Sequence, residues 1–191
     1  YMVTNAEAKV LFVGERYRDL VNGILPRLTC VEHCIGLEGA SDGMLRYTSL
    51  INDSPADDIE TEIGDDDVTI LMYTAGTTGR PKGVPLRHSG FASYVLENVE
   101  PASPEIEERN LLTVPLYHVA GIQAMLAAVY GGRTIVMMKQ FDVEDWLETV
   151  EKERATRAML VPTMLKFVMD APDFGKFDLK SLKAITYGAA P

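Results

Sequence analysis

The chain has 191 residues, of which 47% are hydrophobic and 24% are charged, and its 28 acidic and 18 basic residues give a formal net charge of −10. These proportions are ordinary for a folded globular protein, and the acidic excess argues against nucleic acid or an anionic membrane as a general partner, because both attract basic surfaces. No apolar run approaches the roughly 20 residues of a membrane-spanning helix, and the first residues lack the basic and apolar stretches of a signal peptide.

The first third of the chain alternates short apolar runs with polar segments. Residues 9–13 and 32–37 predict two short buried strands, and residues 17–25 predict a helix that ends near Pro26. Residues 38–67 are polar and contain Gly, Asn and Pro, so we expect a loop with little regular structure there.

The end of this polar segment is strongly acidic, because residues 57–67 hold seven carboxylates and no basic residue. The run lacks the ligand spacing of a calcium loop, which favours a solvated linker. Two cysteines, Cys30 and Cys34, come earlier in the chain, and only His33 lies near them as a further zinc ligand. We therefore expect both cysteines to be reduced thiols in a cytoplasmic protein.

The rest of the chain alternates between predicted strands and helices. The first part comprises a strand at 68–73, a Gly- and Thr-rich loop, a short strand at 84–86, a helix over 90–98 capped by Ser89, and a polar connection at 101–108. Strands are then predicted at 111–114, 133–138, 158–161 and 183–187, and helices at 121–130, from the cap residue Asp142 onward, and at 163–170. This alternation implies βαβ units, and hence an α/β fold with layered, largely parallel sheets flanked by helices.

The Gly- and Thr-rich loop carries the most chemistry. Residues 73–84 contain three Gly, three Thr and Lys82. Glycine lets the backbone approach a ligand closely, and Thr hydroxyls, backbone N–H groups and a lysine suit a polyphosphate. A Walker loop is excluded because Lys82 follows Pro81, and the loop lacks the Gly-x-Gly-x-x-Gly pattern of a dinucleotide site. Composition alone leaves a flexible loop without a ligand equally open.

The whole loop resembles the phosphate-binding loop of the adenylate-forming, or AMP-binding, superfamily, which includes acyl-CoA synthetases, peptide-synthetase adenylation domains and firefly luciferases. The family pattern is Tyr/Ser-Thr-Ser-Gly-Ser/Thr-Thr-Gly-x-Pro-Lys-Gly-Val, and the chain departs from it at Ala75, where Ser is usual. The resemblance implies a catalytic role for Lys82. It also implies that the ATP phosphates are held by Thr74, Ala75, Gly76, Thr77, Thr78, Gly79 and Lys82.

A second motif, Pro115–Gly121, follows a predicted strand and opens a predicted helix. A lone histidine in such a place is more often structural, but open α/β sheets bind ligands at the carboxyl ends of their strands. The motif also resembles the Pro-x-x-His-x-x-Gly motif of the same family. That resemblance implies that His118 shapes the acyl and pantetheine channel, without acting as an acid or base.

A third motif, residues 187–191, reads Tyr-Gly-Ala-Ala-Pro and again leaves the end of a predicted strand. Small residues there would let a flat ring or an acyl chain lie against the backbone. The motif alone is weak evidence, but it resembles the family's Gly-Gly/Ala-Ala-Pro turn. The resemblance implies that Gly188, Ala189 and Ala190 contact adenine or line the acyl pocket.

The resemblance also implies how the chain relates to a longer enzyme. We expect a partial AMP-binding domain, with an α/β piece and acidic loop at 1–67 and the phosphate-loop and acyl-pocket region at 68–191. In the family, a motif with the magnesium-binding Glu, the ribose-binding Asp and a C-terminal domain with a catalytic Lys come later. The chain stops at Pro191, so we expect a central piece of the large N-terminal domain, without the C-terminal domain and without metal ligands.

The implied parent is an ATP-dependent acyl-CoA synthetase, an acid–thiol ligase that uses Mg²⁺. It would activate a fatty or aromatic carboxylic acid as an acyl adenylate and transfer the acyl group to coenzyme A. A peptide-synthetase adenylation domain is the alternative, because the phosphate loop is shared. For the 191-residue chain itself, an inactive nucleotide-binding fragment is a further alternative. The expected partners are therefore small molecules, and the sequence predicts no oligomeric state.

Overall fold

A computed structural model of the chain describes residues 1–75 and 79–188. The chain divides into two compact units. The first combines Tyr1–Gly64 with Tyr73–Pro85, and the second combines Asp65–Met72 with the residues from Leu86 onward. The predicted division into 1–67 and 68–191 concerns the domain plan of a longer enzyme and stays a prediction.

The first unit is built on a parallel sheet. Its elements in chain order are α1 (Met2–Asn5), β1 (Val10–Val13), α2 (Arg18–Ile24), β2 (His33–Gly36), β3 (Leu45–Arg46) and α3 (Tyr47–Asp53). The strand order is β1-β2-β3, with Val10 opposite His33 and Ile35 opposite Leu45. Val13, Val21 and Cys34 form its small buried core. Both cysteines are free, and burial raises the pKa of the Cys34 thiol.

The expectation of a loop throughout residues 38–67 is wrong for its first half, where β3 and α3 form. Leu45 and Arg46 become a strand only because they pair with β2, which lies elsewhere in the sequence. Tyr47, Leu50 and Ile51 have the spacing of one helix face, but α3 is only seven residues long and none of its residues is buried. Residues 54–67 contain neither helix nor strand and are exposed, as predicted.

A two-stranded sheet joins the predicted phosphate loop to the rest of the chain. It consists of β4 (Val68–Thr74) and β5 (Lys82–Arg87). Both strands are present where the sequence predicts them, with β5 longer by two residues at its start and one at its end. The boundary between the two units crosses both strands.

The second unit contains a four-stranded sheet whose strands are all parallel, in the order β7-β6-β8-β9. Its strands are β6 (Arg109–Leu112), β7 (Thr134–Met137), β8 (Arg157–Leu160) and β9 (Ala184–Tyr187). Its helices are α4 (His88–Asn98), α5 (Val119–Tyr130), α6 (Val143–Glu153) and α7 (Pro162–Met169). Strands and helices alternate from β6 to β9, which confirms the predicted α/β class with parallel sheets and flanking helices.

The core of the second unit lies between this sheet and α6 and α7. Its largest fully buried side chains are Trp146, Leu111, Leu147, Leu160, Val150 and Val168. Three of them belong to α6, which has a strongly amphipathic sequence. Asp142 caps this helix as predicted, because its Oδ1 accepts hydrogen bonds from the backbone N–H groups of Glu144 at 2.9 Å and Asp145 at 3.2 Å.

The predicted start of α4 is wrong. The helix begins at His88, and the cap position belongs to Arg87, which makes no side-chain cap bond. Backbone carbonyls, rather than the Ser89 hydroxyl, accept hydrogen bonds from the start of the helix. The His88 N–H donates to the carbonyl of Asp67, and the Ser89 N–H donates to that of Asp65. In the residues that the structure describes, no helix is long and apolar enough to cross a membrane.

Candidate functional site

The predicted phosphate loop connects β4 to β5 in the first unit. Thr74 is the last residue of β4 and Lys82 the first residue of β5, and both are exposed. Ala75 is exposed beside Thr74. Gly79 has a φ of +83°, where a β-carbon would meet nothing within 4 Å, so this position needs glycine for its backbone angle. Gly76, Thr77 and Thr78 lie outside the described residues.

The strand that leads into this loop is anchored to the first helix. The Tyr73 hydroxyl lies 2.7 Å from Asn5 Oδ1 and 3.2 Å from the carbonyl oxygen of Met2. On the other side of the loop, the Arg80 guanidinium lies over the Tyr1 ring, 5.8 Å from its centroid. These contacts hold the loop's flanks, while the Lys82 ammonium remains exposed to solvent.

The second motif forms the connection between β6 and α5 in the second unit. His118 caps the helix, because its Nδ1 accepts a hydrogen bond from the Ala120 backbone N–H at 3.1 Å. Its own N–H donates to the Pro115 carbonyl at 3.0 Å. The side chain is otherwise exposed, and with Nδ1 as acceptor the neutral ring carries its proton on Nε2.

Gly121 explains why the motif ends in glycine. A β-carbon there would overlap the carbonyl group of Pro115 and lie 2.9 Å from the carbonyl oxygen of Val114. The turn after β6 therefore packs directly against the first turn of α5. This close approach fixes the position of His118 at the start of the helix.

Of the third motif, the structure describes Tyr187 and Gly188. Tyr187 ends β9 and is exposed, and Gly188 follows it and is half-buried. Ala189 and Ala190 lie outside the described residues.

The structure shows a cavity of about 330 Å³ in the second unit. The sequence did not predict it. Its walls include residues from α5 and from three strands of the sheet. They are Ala120, Gln123, Ala124 and Ala127 from α5, Asn110 from β6, Ala158 and Met159 from β8, and Thr186 from β9. The alanines recur at the spacing of one helix face, which is the sequence signal that could have indicated this wall.

An ion cluster lies at one end of this cavity and was also missed. The Glu108 carboxylate accepts hydrogen bonds from Arg133 Nε at 2.6 Å and from Arg157 Nε at 2.9 Å. The side chains of Glu108 and Arg133 are largely buried, whereas that of Arg157 is 38% exposed. Burial pushes the pKa of Glu108 upward, but the hydrogen bonds from both arginines outweigh it and hold that pKa below its ordinary value. We refer to these three residues as the Glu108 cluster.

Neither His118 nor Gly188 lines the cavity, but each lies two residues along the chain from a residue that does. Ala120 follows His118 by two residues, Thr186 precedes Gly188 by two, and both Ala120 and Thr186 line the cavity. Within residues 1–75 and 79–188, no group of three or more His, Cys, Asp or Glu side chains is arranged to hold a metal ion.

Comparison with known proteins decides the family. The family model described as "AMP-binding enzyme" matches residues 1–191. The chain belongs to the AMP-binding enzyme family. The predicted membership of the adenylate-forming, or AMP-binding, superfamily is thereby confirmed.

Curated relatives of the chain include two CoA ligases. It is 30% identical over 191 residues to 4-coumarate–CoA ligase 1 of Petroselinum crispum, covering 97% of this chain and 35% of the relative. It is 28% identical over 190 residues to indoleacetate–CoA ligase of Aromatoleum aromaticum, covering 98% of this chain and 37% of the relative. The chain therefore spans about a third of the length of these relatives.

A solved structure shows the same fold. The inhibitor-bound N-terminal domain of FACL13 from Mycobacterium tuberculosis superposes with a TM-score of 0.85 at 27% identity, over 100% of this chain and 47% of that chain. The prediction that the fold is part of the N-terminal domain of an adenylate-forming enzyme is confirmed.

Proposed function

We propose that this chain is part of an ATP-dependent acyl-CoA ligase. In the first step, a carboxylate oxygen of the acid attacks the α-phosphorus of ATP, and pyrophosphate leaves. In the second step, the sulfur of coenzyme A attacks the acyl carbon, and AMP leaves. The observation that carries this proposal is the family match over all 191 residues, with CoA ligases among the relatives.

The phosphate loop supports the first step. Lys82 and the loop's hydroxyl and N–H groups bind the β- and γ-phosphates, in the positions that the family motif assigns. The proposed residues are Thr74, Ala75, Gly76, Thr77, Thr78, Gly79 and Lys82. As pyrophosphate leaves, negative charge gathers on it, and a fixed ammonium with oriented N–H donors stabilises that charge. The loop positions the reactants and forms no covalent bond with them.

Magnesium would enter with ATP, because phosphates bind it readily. Among the described residues no three His, Cys, Asp or Glu side chains are grouped to hold an ion, and we assign none of them to magnesium. ATP and coenzyme A are the other small-molecule partners of the proposed reaction. A cytoplasmic location, where both are available, agrees with the two free thiols.

The acid is proposed to bind in the second unit. His118 borders the acyl and pantetheine path with its exposed ring, whose orientation is fixed by the bond from Ala120. Gly188, Ala189 and Ala190 are proposed to contact adenine or line the acyl pocket. The acid is fatty or aromatic, and relatives named for 4-coumarate and indoleacetate, both aromatic carboxylates, favour an aromatic one.

A product assay on the complete protein that carries this chain tests the proposal. With ATP, coenzyme A and a panel of aromatic and straight-chain acids, we expect acyl-CoA and AMP in equal amounts with at least one acid. Formation of ADP, or of AMP without acyl-CoA, would contradict a CoA ligase. The latter result together with transfer to a carrier protein would indicate a peptide-synthetase adenylation domain.

We further propose that the 191 residues alone do not complete the first step, because they match about a third of the length of the relatives. The isolated polypeptide should trap no acyl adenylate as the hydroxamate when hydroxylamine is added. Hydroxamate formation by this polypeptide would refute the inactive-fragment proposal and leave the ligase proposal standing.

A further inference from the structure

Both flanks of the predicted phosphate loop contact the same short segment, residues 1–5. Before the loop, the Tyr73 hydroxyl donates a hydrogen bond to Asn5 Oδ1 at 2.7 Å. After the loop, the Arg80 guanidinium lies over the Tyr1 ring, 5.8 Å from its centroid. All of these residues belong to the first unit. We refer to residues 1–5 as the clamp.

The clamp is a closed turn that lies far from the loop in the sequence. Its Asn5 N–H donates to the Tyr1 carbonyl at 2.8 Å, so the turn is held by its own backbone. Tyr73 is 68 residues away from Asn5 along the chain. A second acceptor, the Met2 carbonyl oxygen, lies 3.2 Å from the Tyr73 hydroxyl. One hydrogen-bonded turn thus contacts both flanks of the loop and fixes their separation.

The two cations that follow the loop have different surroundings. Arg80 uses the face of its guanidinium on the Tyr1 ring, and this stacking orients the side chain. The Lys82 side chain is exposed and forms no ion pair with any residue that the structure describes. An unpaired ammonium is free to bind a phosphate, whereas a stacked guanidinium holds the chain in place. The surroundings therefore assign phosphate binding to Lys82 and a positioning role to Arg80.

A loop that binds a polyphosphate gains affinity when its ends are already fixed. Ordering a backbone on binding costs conformational entropy, and contacts that exist before binding reduce that cost. The donors must also lie where negative charge gathers as pyrophosphate leaves. Thr74 directly follows Tyr73, and Lys82 follows Arg80 by two residues. A shift of either flank therefore moves a proposed phosphate contact.

Resting on the ligase function above, we propose that the clamp positions the phosphate loop for ATP, with Tyr73 and Arg80 as positioning residues. Tyr73 acts through Asn5, and Arg80 acts through Tyr1. Neither side chain contacts the phosphates. Because the acid is proposed to bind in the second unit, the clamp affects the use of ATP and not the recognition of the acid.

Exchange of labelled pyrophosphate into ATP by the complete protein, with ATP and acid varied separately, tests this proposal. Tyr73→Phe keeps the ring and removes only the hydroxyl. We expect its KM for ATP to rise about 5-fold, because one hydrogen bond that holds the loop is lost. Its KM for the acid should stay at the wild-type value. Partial unfolding alone would lower the amount of active enzyme and leave both KM values unchanged.

The partner of Tyr73 provides a second pair of variants. Asn5→Asp keeps an oxygen that accepts from the Tyr73 hydroxyl, so its KM for ATP should match that of the wild type. Asn5→Leu removes the acceptor and should raise the KM for ATP in the same way as Tyr73→Phe. It also replaces Tyr73→Phe in the test if that variant does not fold.

A double-mutant cycle separates positioning by Arg80 from direct contact with phosphate. Tyr1→Ala and Arg80→Ala should each raise the KM for ATP about 3-fold, because each removes the same exposed cation–π contact. The double variant should show no larger rise than Arg80→Ala alone, since the contact can be lost only once. A direct phosphate contact would instead make Arg80→Ala the more damaging change, with or without Tyr1.

Two tyrosines elsewhere in the first unit serve as matched controls. Tyr17→Ala removes a similar ring, over which Arg16 lies at 5.4 Å from the centroid. Tyr47→Phe removes a hydroxyl at the start of α3. In the described part of the chain, neither tyrosine is hydrogen-bonded to or stacked on the clamp or the loop's flanks. Both variants should therefore keep the wild-type KM for ATP.

The outcomes distinguish the two proposals. An unchanged KM for ATP in folded Tyr73→Phe, or equal rises in the KM values for ATP and acid, would overturn the clamp and leave the ligase function intact. A larger rise in Arg80→Ala than in Tyr1→Ala would overturn the positioning role of Arg80 and assign its guanidinium to the phosphates. A complete protein that shows no exchange with any acid would overturn both proposals.

Discussion

Single residues in the second motif have structural roles that the family resemblance does not reveal. His118 uses Nδ1 to cap α5, so only Nε2 of the ring is available to a ligand. Gly121 allows the turn after β6 to touch the helix, which places the imidazole. These contacts hold His118 in place, as its proposed position beside the acyl path requires.

Replacing Gly121 tests this close approach. The Gly121→Ala variant should lose about 2 kcal/mol or more in the free energy of unfolding, because its β-carbon overlaps the Pro115 carbonyl. Urea denaturation measures the change. Gly90→Ala is the matched control in α4, where a β-carbon meets nothing within 4 Å, and it should be neutral or stabilising by up to about 1 kcal/mol. Equal stability of the two variants would refute the packing role of Gly121.

At the scale of elements, the Glu108 cluster joins three strands of the parallel sheet. Glu108 directly precedes β6, Arg133 directly precedes β7, and Arg157 begins β8. The carboxylate thus links β6 to its two neighbours, β7 and β8, at the end of the sheet where these strands begin. The hydrogen bonds that hold the pKa of Glu108 below its ordinary value of 4.5 favour the folded state while the carboxylate is ionised.

The Glu108→Gln variant should therefore show a pH-dependent loss of stability. At pH 7 it should lose about 2 kcal/mol, because hydrogen bonds to a charged group are replaced by weaker ones. The pKa of Glu108 is lower in the folded state than in the unfolded state. The extra stability of the wild type over the variant is therefore fully present above the unfolded-state pKa, and it is lost as the pH falls through the folded-state pKa. Urea denaturation at pH 7 and at acid pH measures this change.

A neighbouring glutamate provides the control. Glu107 pairs with Arg109 at 3.3 Å, but its side chain is 80% exposed. Exposed pairs of this kind contribute little, so Glu107→Gln should change stability by less than about 0.5 kcal/mol at either pH. The same loss in both variants, or a loss in Glu108→Gln that does not depend on pH, would contradict the role of the cluster.

Local signals explain which elements could be predicted from the sequence. The strands and helices from β6 to β9 have apolar runs, turns or caps of their own, such as Asp142 before α6. By contrast, β3 forms through its pairing with β2, and the first N–H groups of α4 donate to the carbonyls of Asp65 and Asp67. Both interactions involve residues outside the element, so its own sequence does not predict them. The same distinction holds for the site. The three motifs are contiguous and recognisable, whereas the cavity and the Glu108 cluster bring together residues from separate elements.

At the scale of the whole molecule, the site residues fall in both compact units. The residues proposed for the ATP phosphates belong to the first unit, and His118, Gly188 and the cavity belong to the second. The chain itself matches about a third of the curated ligases. The complete protein is therefore the proper subject for any measurement of catalysis.

The most direct test of the proposed function is acid-dependent exchange of labelled pyrophosphate into ATP by the complete protein, which reports only the adenylation step. We predict exchange in the wild type and a decrease of roughly 100-fold in Lys82→Ala, because one positioned charge is lost from the leaving pyrophosphate. Lys139→Ala removes an exposed lysine of the second unit and should exchange normally. No exchange in the wild type with any acid, or unchanged exchange in folded Lys82→Ala, would contradict this account.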